Sequence, residues 1–414
     1  MLHEWQVVCD KRIHEQQRTQ STTVSDFFPK RPPKTLFLHH TPFLPRQLIG
    51  MSITPLPSSQ TAIVQDNAGQ PICTLDAPVP KLLPKTVLVK TIAVAVNQCD
   101  HKMGTNFPTP GAIIGSDFVG TVVCMSPEAA RLRPDLELGD IVCGYVHGSN
   151  PAEPGNGAFA EYLRAHVQLI YLVPKGMPEL EAAALGVGLG TAALALWKAM
   201  DLPASPVDLL PLDSPPVYVL VYGASTASGT MALQLLKLSG YTPIATCSPQ
   251  NFSLVKSYGA AYVFDYADEA TQNEIKQLTG GRLAYALDCV TDSSSAAYCA
   301  STMARTGGRY ITLELCSEDL KPKRRSIKQD WIFALDIFGE PIPLSRGYER
   351  EASPEVHQFA VNWYRVFQKL IDEGKVRPHP LQELEGGFSG IIEGVRLLKT
   401  GSVSGKKLVI AIGS

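Results

Sequence analysis

The fold is decided by the stretch 217–241, which reads VYVLVYGASTASGTMALQLLKLSGY. An apolar strand runs here into a turn of small residues and then into an amphipathic helix. Gly223 permits the tight turn, and Gly229 permits close contact between helix and strand. The free N–H groups and the positive end of the helix dipole at such a turn favour a diphosphate. The stretch therefore predicts a dinucleotide-binding unit. Its usual middle glycine is absent from 224–228, and a turn that binds no ligand is the alternative.

Strands and helices alternate after this stretch. Apolar runs such as TPIATC (242–247) and YALDCV (285–290) are separated by helical segments such as 248–259. This α/β alternation predicts a doubly wound parallel sheet with helices on both faces. Upstream, between positions 61 and 164, short runs rich in Val and Ile predict a β-rich, barrel-like domain instead.

These patterns divide the chain into four segments. Residues 1–50 are polar, contain five prolines and show no sustained apolar period, so we expect a mobile extension there. Met51 offers an alternative start that would still give a complete-looking domain. We place the β-rich domain at 51–200, the nucleotide-binding domain at 201–345, and a return of the chain to the first domain at 346–414.

Composition excludes several classes of protein. The chain has 414 residues, of which 45% are hydrophobic and 18% charged, and its formal net charge is −2. This balance gives no chain-wide reason to bind nucleic acid or an anionic membrane. No stretch approaches the roughly 18 consecutive apolar residues of a membrane-spanning helix, and the N-terminus lacks the apolar core of a signal peptide. The nine cysteines are dispersed without a CxxC pair, which favours a reducing, cytoplasmic location.

The residues after the second strand of the nucleotide-binding unit indicate which cofactor it takes. A cofactor with a free ribose 2′-hydroxyl calls for Asp or Glu there, but the chain has Ser248 and Asn251. Because no carboxylate would repel a 2′-phosphate, we expect NADPH rather than NADH. Lys256 and Tyr266 follow within reach of the same adenosine. A solvated helix lysine and a half-buried tyrosine are the alternatives for these two residues.

The sequence resembles the medium-chain dehydrogenase/reductase superfamily, and within it the zinc-independent, trans-acting enoyl reductases of fungal polyketide pathways. The resemblance covers nearly everything from about Ser59 to the end, and the first fifty residues have no counterpart in it. The matching stretches are AVNQCDHKM (95–103), GSDFVGTVV (115–123), GDIVCGYVHG (139–148), GAFAEYLRAH (157–166), EAAALGVGLGTAALAL (181–196), the whole of 217–252, YALDCV (285–290), IFGEPIP (337–343) and SGKKLVIAI (404–412). It implies a GroES-like catalytic domain and a Rossmann-type domain, with NADPH and an enoyl substrate in the cleft between them.

The resemblance also implies site residues. The cofactor-binding residues would be Cys99, Asp100, His101, Lys102, Ser225, Thr226, Ala227, Ser228, Ser248, Pro249, Gln250, Asn251, Tyr266, Leu313, Glu314, Val403 and Ser404. The substrate-lining residues would be Val187, Gly188, Leu189, Gly190, Thr191, Ala192, Ala193, Leu194, Asp336, Ile337, Phe338, Gly339 and Glu340. The glycines at 188–190 are also typical of helix packing, and 337–339 of a plain hydrophobic strand.

Conjugate reduction of an enoyl thioester does not require a metal. GSDFVG stands where a zinc alcohol dehydrogenase would have a His-Glu pair, and no closely spaced cysteines occur, so we expect no metal site. Lys102 is the candidate catalytic residue, either orienting the cofactor or stabilising the negative charge of the enolate, with a surface lysine as the alternative. Tyr145 and His147 suit a structural loop better than proton donation. Asp288 suits a buried cap or turn.

The expected partner is a polyketide synthase that presents a carrier-bound enoyl chain. The basic run KPKRRSIK (321–328) would suit docking of an acidic carrier domain, and a solvated loop is its alternative. Two other functions stay open: a stand-alone NADPH-dependent quinone or enone reductase, and a non-catalytic NADPH-binding interaction subunit. We favour a monomer, with no nucleic acid or membrane as partner.

Overall fold

Strands dominate the first part of the chain and alternate with helices in the second. The computed structural model describes residues 51–52, 55–318 and 321–412, so the expectation for residues 1–50 lies outside the described residues. The described strands are β1 (Met51–Ser52), β2 (Ser59–Gln65), β3 (Pro71–Pro78), β4 (Thr86–Ala95), β5 (Asp117–Met125), β6 (Ile141–Tyr145), β7 (Tyr162–His166), β8 (Ile170–Leu172), β9 (Tyr218–Tyr222), β10 (Thr242–Thr246), β11 (Tyr262–Phe264), β12 (Tyr285–Asp288), β13 (Gly308–Thr312), β14 (Ile327–Trp331), β15 (Leu381–Glu383) and β16 (Lys407–Ala411).

Some of the helices begin at a residue whose side chain accepts from a free N–H group of the first turn. Thr226 caps one helix by accepting from the Gly229 N–H at 3.0 Å, and Ser353 caps the longest one, which has proline at its first position. The described α-helices are α1 (Gln98–Asn106), α2 (Pro127–Leu132), α3 (Glu179–Ala183), α4 (Gly186–Ala193), α5 (Ala227–Leu238), α6 (Phe252–Ser257), α7 (Thr271–Leu278), α8 (Ser293–Thr302), α9 (Pro354–Asp372) and α10 (Phe388–Lys399). A π-helical segment, Leu194–Ala199, continues α4, and three short 3₁₀ helices cover Val167–Leu169, Pro249–Asn251 and Ala334–Phe338.

The alternating half of the chain forms the expected doubly wound sheet. Its six strands lie in the order β11-β10-β9-β12-β13-β14, and every neighbouring pair is parallel. The chain builds outward from β9 in one direction and then from β12 in the other. The connections after β9 and β12 therefore leave the sheet on opposite faces, and a crevice opens at the carboxyl ends of these two strands.

The other half of the chain forms a mixed sheet that includes both chain ends of the described part. Its main path is β15-β16-β4-β5-β6-β8, with β7 added to β4 and β1 added to β5, and only the β15–β16 pair is parallel. Strands β2 and β3 pair separately. Since β15 and β16 follow the parallel sheet in sequence, the chain does return to the first sheet. The predicted limits at 200/201 and 345/346 stay predictions.

One apolar segment corrects the expectation about membrane spans. Glu179–Ala199 has 21 residues and a mean hydropathy of 1.5, which is long and apolar enough to cross a membrane by length and composition. In the protein 83% of its most apolar part is buried, and Leu185 and Leu189 are fully covered. Such burial is typical of a core helix, and here α4 packs against α5 of the parallel sheet.

A buried ion pair joins four elements of the fold. Lys407 Nζ lies 2.8 Å from Asp117 Oδ2, and the two side chains are only 5% and 0% exposed. Asn97 Nδ2 donates to the same carboxylate oxygen at 3.0 Å, and Lys407 donates to Asn97 Oδ1. The second oxygen of Asp117 accepts from the Val187 N–H at 2.6 Å. The pair thus connects β16, β5, the start of α1 and the start of α4.

Replacing Lys407 tests how much this pair holds the fold together. We expect Lys407→Met to lower the free energy of unfolding by about 3–5 kcal/mol, because it leaves the Asp117 charge buried without its partner. Urea unfolding followed by tryptophan fluorescence measures the change. The neighbouring Lys406 is exposed, so Lys406→Met is the control and should change stability by less than about 0.5 kcal/mol. Equal effects of the two variants would contradict the assignment.

Candidate active site

A cavity of about 410 Å³ lies at the carboxyl ends of the parallel strands. Ser225, which follows β9, Cys289, which follows β12, and Leu313, which follows β13, line it from one side. Asp100 and Lys102 of α1 line it from the side of the mixed sheet. The cavity therefore occupies the point where the strand order reverses, which is where open α/β sheets bind their ligands.

The turn between β9 and α5 fits a dinucleotide diphosphate. Gly223 has a φ of +70°, which favours glycine, and a Cβ on residue 229 would lie 2.7 Å from the Ala224 Cα atom. The usual middle glycine is absent from this turn, and the Thr226 hydroxyl accepts a hydrogen bond from the Gly229 N–H. Because the first helical turn leaves its remaining N–H groups without partners inside the helix, these can hold phosphate oxygens. All four predicted residues, Ser225, Thr226, Ala227 and Ser228, line the cavity.

The residues predicted for the adenosine end lie together, outside the cavity lining. The Ser248 and Tyr266 hydroxyls are 3.0 Å apart, at the carboxyl ends of β10 and β11. Asn251 Nδ2 donates to Ser404 Oγ at 3.3 Å, and Ser404 lines the cavity beside Val403. The two remaining residues of this group, Pro249 and Gln250, form the 3₁₀ helix with Asn251. The arrangement offers hydroxyl and amide groups at this edge. The Asp265 carboxylate, between β11 and Tyr266, accepts from the Ala267 N–H at 2.9 Å.

Two of the predicted cofactor residues form an ion pair across the cavity. Lys102 Nζ, on α1, lies 2.9 Å from Glu314 Oε2, which follows β13, and the side chains are 44% and 30% exposed. Glu314 Oε1 accepts from the Tyr348 hydroxyl. His101 turns away from the cavity and bonds Gln98 Oε1 at 2.8 Å, and burial, with help from the positive charge of Lys102, lowers its pKa. Among the described residues of α1, Lys102 is thus the one that forms an ion pair with the parallel-sheet side of the cavity.

Asp100 sits at the base of the cavity among buried polar groups. Its Oδ1 accepts from Ser116 Oγ at 3.1 Å and its Oδ2 from the Asn97 N–H at 2.7 Å. Burial raises the pKa of Asp100 to about 7, since the hydrogen bonds and the nearby Lys407 ammonium offset only part of the cost of burying a charge. The residue therefore changes its charge near neutral pH.

These residues do not fit a zinc ion. Burial raises the pKa of the Cys99 thiol, so its sulfur stays protonated, and its nearest side-chain oxygen belongs to Ser116 at 3.8 Å. Asp117, the acidic residue of the GSDFVG stretch, already binds the Lys407 ammonium. Within the described residues, no group of three or more His, Cys, Asp or Glu side chains is placed to hold a metal.

The predicted substrate segments are only partly brought to the cavity. Val187 and Thr191 line it. The intervening and following residues are buried in helix packing without lining it: Gly188, Leu189, Gly190, Ala192, Ala193 and Leu194. Asp336 pairs with Arg350 Nε at 3.3 Å, and Ile337 is buried beside Gly190. Phe338, Gly339 and Glu340 line a second cavity, of about 360 Å³, together with His147.

Sequence reasoning missed several residues that line the main cavity. Ser149 and Thr291 have φ values of 57° and 64°, in the left-handed region that such residues rarely adopt. Strain of this kind is typical of ligand sites. No sequence signal marks a non-glycine residue that adopts this conformation. Lys407 and Tyr348 also line the cavity, and each contacts partners that are distant in sequence.

The basic run lies at the opposite end of the sheet. Arg324 Nη2 donates to the carbonyl oxygens of Ala300 and Met303 at 2.9 and 3.3 Å, where α8 ends. Ile327 then begins β14, whereas the cavity opens after Trp331 at the carboxyl end of the same strand. Strand β14 separates the two by about 15 Å. Arg324 therefore serves the fold, whereas Lys323, Arg325 and Lys328 are exposed. Docking of a carrier domain at this run stays a prediction, with a solvated loop as its alternative.

Replacing Asp100 tests the effect of burial on its protonation. In the folded protein its pKa is raised from 3.8 to about 7, so its contribution to stability is complete below about pH 4 and is lost as the pH rises through 7. Asp100→Asn has no charge to bury and can still accept from the Asn97 N–H. We therefore expect the stability of the variant relative to wild type to increase between about pH 4 and pH 7 and then level off. Urea unfolding of both proteins at about pH 4.5, 5.5, 6.5 and 7.5 measures this difference in stability.

Comparing Asp100→Asn with the wild-type protein cancels the effect of other titrating groups on stability. Burial lowers the pKa of His147, His166 and His379 to about 4, which makes stability rise with pH over part of the same range. These histidines are the same in both proteins. A difference in stability that is constant over this pH range would show that Asp100 keeps its ordinary pKa.

The two halves of the chain match two protein families. The alcohol dehydrogenase GroES-like domain matches residues 83–175, and the zinc-binding dehydrogenase family matches residues 227–338. Among solved structures, the fold is similar to a putative zinc-dependent alcohol dehydrogenase from Rhizobium etli (TM-score 0.69, 23% identity, 86% of this chain and 99% of that one). It is also similar to the CurK enoyl reductase (TM-score 0.63, 16% identity, 85% and 98%). At these identities the likeness shows the fold.

Curated relatives are much more similar in sequence. The trans-enoyl reductase RAP2 of Pyricularia oryzae is 48% identical over 358 residues, which cover 86% of this chain and 99% of the relative. The trans-enoyl reductase poxP of Penicillium oxalicum is 46% identical, over 86% of this chain and 94% of the relative. The chain therefore belongs to the fungal trans-enoyl reductases, oxidoreductases of the medium-chain dehydrogenase/reductase superfamily that bind a nicotinamide cofactor.

Proposed function

We propose that the chain uses NADPH to reduce the carbon–carbon double bond of an α,β-unsaturated thioester. The observation that carries this proposal is the single cavity shared by the diphosphate turn of β9 and α5 and by Lys102 of α1. When bound, the reduced nicotinamide supplies a hydride to the β-carbon of the substrate. Lys102 would then hold the negative charge that develops on the thioester oxygen until the α-carbon takes a proton from water, because its ammonium lies on the cavity wall.

NADPH is preferred in this proposal because of the adenosine end. The Ser248 and Tyr266 hydroxyls lie 3.0 Å apart at the strand ends where a ribose 2′-phosphate would lie. Hydroxyl groups donate to phosphate oxygens, and a carboxylate at the same place would repel them. Lys256, exposed on α6, would supply positive charge to this end of the cofactor.

A polyketide synthase is the proposed partner, since the relatives named above are trans-enoyl reductases. The substrate would then arrive as an enoyl chain bound to the carrier domain of that synthase. We place this activity in the cytoplasm, and no disulfide joins the described cysteines. We further propose that the chain acts as a monomer.

A comparison of three reaction mixtures tests the function. Purified protein and NADPH are mixed with a carrier-linked enoyl chain, with a free enone or quinone, or with no acceptor. We expect NADPH oxidation and a gain of two hydrogens, seen by mass spectrometry, with the carrier-linked chain. Turnover with the free acceptor alone would instead support a stand-alone reductase. NADPH binding without turnover would support an interaction subunit.

A negative charge at Ser248 tests the preference for NADPH. We expect Ser248→Glu to raise the dissociation constant for NADPH by about tenfold or more, because the new carboxylate repels the 2′-phosphate. The dissociation constant for NADH should change by less than about threefold, because NADH has no such phosphate. Titration of the cofactor fluorescence measures both constants. Ser326→Glu adds the same charge at the far end of the sheet and is the control. An equal loss of affinity for NADPH and NADH would exclude a phosphate contact at Ser248.

A further inference from the structure

Tyr348 lies in the main cavity, and no sequence pattern pointed to it. It belongs to the segment between Ile342 and Arg350, whose ends are joined by two backbone hydrogen bonds, of 2.9 and 3.1 Å. The Arg350 guanidinium stacks 4.3 Å from the centre of the Trp331 ring and pairs with Asp336. The segment is thus fixed to the carboxyl end of the parallel sheet, and it carries Tyr348 to the cavity.

The ring of Tyr348 is held among three aromatic side chains. Its centroid lies 5.2 Å from Trp331, 5.3 Å from Phe107 and 5.6 Å from Phe333, each in an edge-to-face arrangement. Such contacts fix the plane of the ring. Phe107 follows α1, so this packing also spans the two sides of the cavity.

The hydroxyl of Tyr348 donates to Glu314 Oε1, and Glu314 Oε2 accepts from Lys102 at 2.9 Å. Burial and the nearby Glu314 charge raise the pKa of Tyr348, so its oxygen keeps the proton that it donates. The Leu315 N–H also donates to Oε1, at 3.3 Å. One carboxylate oxygen is therefore held by two donors, which leaves the other facing Lys102.

We propose that Tyr348 is a positioning residue: by holding the Glu314 carboxylate, it sets the place of the Lys102 ammonium in the cavity. Without the tyrosine hydroxyl, Oε1 keeps only the 3.3 Å hydrogen bond from the Leu315 N–H, so the carboxylate is held less firmly and the partly exposed ion pair loosens. Lys102 then spends less time where it meets the thioester oxygen. The kinetic part of this proposal rests on the proposed function, and the placement of Lys102 does not.

Tyr348→Phe keeps the aromatic packing and removes the hydroxyl. We expect kcat with the carrier-linked enoyl chain to fall about tenfold, with KM within about twofold, because the variant misplaces a group that acts on the transition state. In a Lys102→Met background the same substitution should change kcat by less than about twofold, since its effect passes through Lys102. An equal tenfold loss in both backgrounds would overturn the proposal.

Chemical labelling of Lys102 gives a second readout that needs no turnover. Acetic anhydride is applied briefly to the full chain, and the modified fraction of Lys102 is measured by mass spectrometry relative to the exposed Lys256. We expect Tyr348→Phe to raise the labelling rate of Lys102 about threefold, because a looser ion pair with Glu314 leaves the amine of Lys102 more accessible to the reagent. An unchanged rate would refute the placement, whether or not the chain proves to be an enoyl reductase.

Tyr262→Phe is the matched control for both measurements. Tyr262 is 40% exposed on β11, away from the cavity, and its substitution removes the same hydroxyl group. We expect neither the kinetics nor the labelling of Lys102 to change. A wild-type protein that binds NADPH but reduces no carrier-linked chain would remove the proposed function, while the labelling result would still decide the role of Tyr348.

Discussion

The cavity depends on one buried positive charge. Lys407 begins the last strand of the mixed sheet, and its ammonium lies between the buried Asp117 carboxylate and the half-buried Asn97 amide, where little water is present to stabilise a charge. Ionised groups in such a place must be paired, so the three side chains fix one another. Asp117 also receives the N–H of Val187, which sets where α4 begins. The ion pair therefore places α1 and α4, the two helices that line the cavity from the mixed sheet.

Contacts across the cavity connect these helices to the parallel sheet. Lys102 reaches Glu314, and Phe107 packs on Tyr348, so the middle of α1 and the residue that follows it contact residues beyond the carboxyl ends of β13 and β14. Neither contact is strong alone, because an ion pair that is 44% and 30% exposed contributes little to stability. These contacts determine the position of Lys102 more than they stabilise the fold. They hold a charged group at a set distance from the strand ends where the nicotinamide is proposed to bind.

Local patterns in the sequence predicted the fold well. The strand, turn and helix at 217–241 and the alternation after it correspond to β9, α5 and the parallel sheet. Such patterns reflect burial within a few residues, which the sequence displays directly. The contacts that build the site join distant positions: 290 residues separate Lys407 from Asp117, and 212 separate Lys102 from Glu314. No period or motif encodes these pairings, and the second cavity at Phe338–Glu340 could not be foreseen for the same reason.

Three lysines line the cavity, and the hydrogen bonds of two of them, Lys102 and Lys407, indicate different tasks. An ammonium group has three N–H donors. Lys407 is 5% exposed and donates to both Asn97 and Asp117, so its charge is committed to the fold. Among the described residues Lys102 donates only to Glu314, which leaves two N–H groups for oxygen atoms of a ligand. A single carboxylate partner keeps this ammonium in place without saturating it. Of these two, the lysine that acts on substrate should therefore be Lys102, whose orientation is set by Glu314 and Tyr348.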